Sequence, residues 1–129
     1  MKTVKTVILC IVLFAAIPNG FAQTAEVPGG IISSLQQGNA GSLSVYLNDN
    51  VELVIGNQND VFSKQQASAI IADFFRRNRV NGFDLLHKGN KDAASFGIGT
   101  LKTGSGSYRV YFLIRKNEIQ QLRIESSND

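Results

Sequence analysis

The stretch SKQQASAIIADFFRRNRVNGFDLLHK, residues 63–88, decides the fold, because the period of its apolar residues changes inside it. Ala67, Ile70, Ile71, Phe74 and Phe75 recur at i, i+3, i+4, i+7 and i+8, one continuous stripe on a helix. Ser63 is a good N-cap and Gln66 completes a capping box, while Phe62 is placed to staple against Ala67. Arg76, Arg77 and Arg79 fall in or just past the last turn, where cations meet the negative end of the helix dipole. That role is sufficient to explain the cluster without a bound anion. After Asn81-Gly82 apolar and polar residues alternate, the pattern of a half-buried strand.

Downstream, residues 83–88, 94–103, 107–116 and 118–125 read as four strands. Their links, Gly89-Asn90-Lys91-Asp92, Gly104-Ser105-Gly106 and Lys116-Asn117, are short enough to require antiparallel neighbours. Gly97 and Gly99 project to one face together with Leu101, and glycines in mid-strand predict a sharp bend there. Upstream, residues 24–30 form a lead-in that sets Pro28 in the first helical turn. Ile31, Ile32 and Leu35 then give a short helix closed by Gly38-Asn39, and residues 40–47 a second one. Asn48-Asp49-Asn50 reads as a turn, residues 51–55 as a strand, residues 56–60 as another turn and Val61-Phe62 as a short return strand. Helices first and antiparallel strands last make an α+β class, with the helices covering one face of the sheet.

The chain has 129 residues, 43% of them hydrophobic, with net charge +3, one cysteine and one histidine. Lys2 and Lys5 precede an apolar run at residues 7–17, followed by Pro18 and a small-residue site ending at Ala22. This is the pattern of a secretory signal occupying residues 1–22, with residues 23–129 as the mature domain. The run is too short for a comfortable membrane span of roughly 20 residues, so no stable span is expected after processing. Cys10 lies inside the run and leaves with it, so the mature chain has no disulfide. Losing Lys2 and Lys5 takes 13 basic residues to 11 against 10 acidic ones, a net charge of +1. A nucleic-acid partner is therefore not expected. The expected location is the periplasm or the medium.

The order of elements resembles the nuclear transport factor 2-like, or cystatin-like, cone, a curved antiparallel sheet wrapped on a long helix with two short N-terminal helices. The resemblance extends to particular residues. It rests on Phe21-Ala22-Gln23, Leu35 with Gly38-Asn39-Ala40, Asn50-Val51-Glu52-Leu53, Phe62 to Ala67 and Asp73-Phe74-Phe75. It continues through Phe83 to Gly89, Ile98-Gly99-Thr100-Leu101, Tyr108 to Phe112 and Ile119 to Glu125. Together these resemble a family of small exported proteins of unknown function from Bacteroidota. That family carries no catalytic residues to transfer. The glutamine–valine–glycine wedge of true cystatins has no counterpart in residues 102–107.

His87 shares its strand face with Phe83 and Leu85 and so is expected to point inward. It is the weak catalytic candidate of an isomerase- or cyclase-like alternative, in company with Tyr46 or Tyr108. The resemblance implies an interior acid for such relatives, but Asp73 falls off the helical stripe and Asp84 alternates away from the apolar face. Metal and cofactor are expected to be none, since one histidine offers no ligand-spaced cluster, and the glycines match no dinucleotide fingerprint. The leading expectation is a non-enzymatic module that binds a small apolar ligand or an envelope protein. Tyr46, Phe74, His87 and Tyr108 are its candidate ligand contacts. Leu101, Tyr111, Leu113 and Arg123 are expected to form a homodimer interface, with cross-strand pairs of Arg109 or Arg115 to Glu125 or Glu52 on the same face.

Overall fold

The computed structural model describes residues 26–127, so the signal-like segment, Cys10 and the Ala22 site lie outside the described residues. Helix α1 (Gly29–Gln37) starts on Pro28, which stands at the N-cap rather than inside the first turn. Gly38 ends it with φ 65°, a left-handed conformation that glycine adopts without steric cost. Its neighbour Asn39 starts α2 (Ala40–Ser44), the side chain accepting from the Ser42 backbone N–H at 3.0 Å.

Here the reading of residues 40–50 needs correction. Leu47 belongs to strand β1 (Leu47–Ile55), and Asn48-Asp49-Asn50 are strand rather than turn. The β1–β2 turn is only Gly56-Asn57, so β2 (Gln58–Ser63) is longer than Val61-Phe62. Ser63 then caps α3 (Lys64–Arg77) with both halves of the capping box formed. Ala67, Ile71, Phe74 and Phe75 are buried and Ile70 is half-buried, as the stripe requires.

Four strands follow: β3 (Val80–Lys91), β4 (Ala94–Thr103), β5 (Gly106–Arg115) and β6 (Glu118–Ser126). Strand β3 runs through Gly89-Asn90-Lys91, leaving Asp92-Ala93 as the turn. Asp92, Ala93, Lys116 and Asn117 all have positive φ, the geometry of two-residue hairpins whose twist suits the flanking strands. The six strands form one sheet in the order β2-β1-β6-β5-β4-β3. All neighbours are antiparallel except β1 and β6, which run parallel in the middle.

The sheet curves at β3 and β4. Opposite Gly99 and Ile98, β3 inserts Leu86 as an extra residue between Leu85 and His87. The inner face carries Phe83, Leu101, Val110, Phe112, Leu122 and Ile124, all buried in one cluster with the apolar faces of the helices. Helix α3 packs on β1, α1 on β3, and α2 touches both helices.

Candidate functional site

Along α3, Ile70, Asp73, Phe74, Arg77 and Asn78 lie three or four residues apart and form one face. That face looks across to Tyr108 at the start of β5, to Ile124, Glu125 and Ser126 at the end of β6, and to Val54–Gln58 at the β1–β2 turn. Between them lies a cleft of about 820 Å³, inside the range of small-molecule sites. Its apolar lining comes from Val54, Ile55, Ile70, Phe74 and Ile124, and its polar lining includes Asn57, Gln58, Asp73, Arg77, Asn78 and Glu125.

The aromatic wall is held from several directions. The Tyr108 and Phe74 rings meet edge to face, with centroids 5.0 Å apart and an interplanar angle of 85°. The Tyr108 hydroxyl donates to Asn78 Oδ1 at 3.3 Å, and the Ser105 hydroxyl donates to the same oxygen. Asn78 Nδ2 and the Asn78 backbone N–H both donate to the Phe74 carbonyl at 2.9 Å, closing the end of α3. Ser105 is itself tied to Thr103, whose hydroxyl donates to the Gly106 carbonyl at 2.7 Å. The β4–β5 turn is thereby fastened to the helix end that frames the cleft. Sequence reasoning did not single out Asn78; an amide side chain one residue beyond a helix end was the available signal.

Asp73 is half-exposed and accepts from Arg77 Nε at 2.9 Å and from Arg76 Nη2. It is an ion-paired surface carboxylate, and Asp84 likewise points outward to Lys102 Nζ at 3.1 Å. Among the described residues no three His, Cys, Asp or Glu side chains come together as a metal site.

Of the candidate ligand contacts, the fold brings Phe74 and Tyr108 together and leaves Tyr46 and His87 elsewhere. Tyr46 packs over α1, where a Cβ on Gly30 would lie 2.7 Å from its Cζ. His87 is exposed on the outer face, opposite Ile98. The cause is the Leu86 insertion, which reverses the alternation that made His87 share a face with Leu85. The acid–base alternative thus has no histidine in the cleft.

Leu101 needs the same correction. It pairs with Tyr108 on the inner face and is completely buried, so it cannot belong to an exposed interface. Tyr111, Leu113 and Arg123 do share the outer face, Tyr111 directly opposite Arg123 and Leu113 opposite Gln121. Phe96 and Ile98 extend that half-buried apolar area across β4. Arg109 stands opposite Glu125, and Glu52 accepts a hydrogen bond from Gln121 Nε2 at 2.9 Å.

The architecture defines a class: an α+β protein with a curved sheet, sharing its fold with a nuclear transport factor 2-like protein of unknown function from Cytophaga hutchinsonii. That match has TM-score 0.55 at 12% identity, covering 80% of this chain and 93% of the other. The family is narrower. Residues 29–125 match the model of a domain of unknown function, DUF4783, and the chain belongs to that family. The family protein of Bacteroides ovatus is 38% identical with TM-score 0.76, over 81% of this chain and 98% of its own. That of Bacteroides fragilis is 37% identical with TM-score 0.75, over 79% and 100%. No curated protein matches the chain.

Proposed function

We propose that the protein is an exported, non-enzymatic module that holds a small, largely apolar ligand in the cleft under the end of its curved, cone-like sheet. The observation that carries this reading is the cleft of about 820 Å³, walled by Phe74, Tyr108, Ile70 and Ile124. A ligand in a cleft that size would release the water that otherwise covers its apolar walls. Phe74 and Tyr108 are the ligand contacts in this reading. Native mass spectrometry of protein recovered from its host cells tests it. The expected result is an added mass that is lost on denaturation; a bare chain from every growth condition would refute it.

The outer face supports a second element, a homodimer through Tyr111, Leu113 and Arg123 with Phe96 and Ile98 beside them. Half-buried aromatic and aliphatic side chains on one contiguous face, rimmed by arginines, suit a self-complementary interface. An envelope protein is the competing occupant of that surface. Export rests on the residue 1–22 pattern, and N-terminal sequencing of extracytoplasmic protein should begin at Gln23.

A further inference from the structure

The outer face of the sheet carries charges that the chain itself does not pair. Among the described residues, ion pairs join Asp73 to Arg76 and Arg77, and Asp84 to Lys102. Arg109, Arg123 and Glu125 enter none of these pairs, and all three are exposed. They stand in cross-strand rows. One row runs from Val54 on β1 through Arg123 on β6 and Tyr111 on β5 to Ile98 on β4. The row nearer the β5–β6 hairpin holds Glu52, Gln121, Leu113 and Phe96. The row on the other side holds Glu125, Arg109, Thr100 and Asp84. On edge strand β2, Val61 faces the same way opposite Glu52 and is 60% exposed.

Two copies stacked face to face are related by a two-fold axis lying between them, so each position meets the one equally far across that axis. Packed sheets keep their strands within about 30° of one another, which leaves few placements. An axis along the β4–β5 seam sets Glu125 against the partner's Asp84, like against like. One along the β1–β6 seam leaves Phe96 and Ile98 outside the overlap. One across the strands at the Tyr111 row sets Arg109 against the partner's Leu113. The β5–β6 seam differs from all of these. About it, Arg109 meets the partner's Glu125 and Glu125 meets the partner's Arg109. Tyr111 lies against the partner's Arg123, a guanidinium on an aromatic ring, and Ile98 meets the partner's Val54. Val61 reaches the partner's Gly89, a position where a Cβ would lie 2.7 Å from Phe96 Cε1 and which therefore stays flat.

We propose that the homodimer's two-fold axis runs along the β5–β6 seam, so that Arg109 of each copy pairs with Glu125 of the other. This rests on the dimer reading above and adds its axis and its pairing residues. Charge complementarity about a single seam is what a second copy requires, since one surface must serve as both partners.

Charge complementation tests the axis, read by light scattering and native mass spectrometry on protein recovered from its host cells. Arg109→Glu and Glu125→Arg should each weaken the dimer at least about tenfold, because each sets two like-charge contacts across the axis. An equimolar mixture of the two variants should restore it, since both contacts in the mixed dimer are then of opposite sign. Each chain in that mixture still carries its like charges side by side in its own sheet, so only pairing between chains explains recovery. High salt should shrink every one of these differences. The chain carrying both changes should dimerise with itself and be excluded from mixed dimers with the parent, which decides the matter if a single variant fails to fold. A dimer indifferent to the single changes, a mixture that does not recover, or free mixing of the doubly changed chain with the parent overturns the axis while the dimer stands. A parent that stays monomeric at high concentration, or that holds an envelope protein on this face instead, overturns both.

Discussion

Gly99→Ala is the sharpest test of how the sheet acquires its curvature. A Cβ at this position would lie 2.5 Å from Phe83 Cζ and well inside 3.0 Å of the Asp84 carbonyl oxygen. The phenyl ring could shift, but it is buried among the core residues. The carbonyl belongs to the strand that bulges at Leu86, so relieving the contact requires the backbone of β3 to move by about 1 Å from an ordinary carbon–oxygen separation. Overpacking that displaces backbone costs about 3 kcal/mol, the upper part of its range. The lost freedom of the unfolded chain returns about 0.4–1 kcal/mol of that. A net loss of about 2 kcal/mol in a domain this size lowers the melting midpoint by roughly 8–16 °C. Gly82→Ala is the control, because a Cβ there meets nothing within 4 Å, and it should leave stability unchanged or raise it by about 0.4–1 kcal/mol. Thermal and urea unfolding of the pair measure both effects. A Gly99→Ala protein melting within about 2 °C of the parent, where a loss several times larger is expected, would refute the claim that close approach at the bulge demands glycine.

Other perturbations probe different parts of the molecule. Ser63→Ala removes the capping box of α3 and should cost about 1 kcal/mol in urea unfolding. Ser95→Ala should be neutral or stabilising by up to about 1–2 kcal/mol, since the Ser95 hydroxyl is buried without a hydrogen-bond partner. Leu101→Ala should destabilise by about 2–5 kcal/mol and leave the oligomeric state unchanged. Leu113→Arg should do the reverse in light scattering, abolishing any dimer with little change in melting.

What could be read from the residues depended on the range of the interactions involved. Helix α3 was legible because its cap and its stripe are local, each specified within a few residues of Ser63. Residues 48–50 were misread for the opposite reason. Asn-Asp-Asn favours turns by propensity, yet β1 is drawn out through it beside β6, about seventy residues away, with an irregular register between Leu47 and Glu52. Asn48 still shows its local preference, donating to the Asn50 carbonyl at 3.0 Å within the strand. His87 was misplaced by one inserted residue, because alternation carries a side chain to the correct face only while the ladder is unbroken. The bend itself was visible in Gly97 and Gly99, but not which strand would bulge to meet it. For the cleft, Phe74 and Tyr108 were found as aromatics on inner faces. Asn78 and Arg77 were not, since their part depends on the β4–β5 turn and the end of β6 arriving beside the helix.

The parallel seam between β1 and β6 joins the first strand of the chain to the last. A polypeptide emerging from its N-terminus completes the β1–β2 hairpin and α3 long before the strand that must lie against them has been made. Until residues 118–126 arrive, β1 has a bare hydrogen-bonding edge and the α3–β1 layer has no neighbour to its inner side. The nine residues of β6 therefore act as a latch. A chain interrupted between β5 and β6 would present two further open strand edges, those of β1 and β5, and should be an efficient seed for aggregation. Closure of the sheet therefore waits for β6, the last of the described strands to be made.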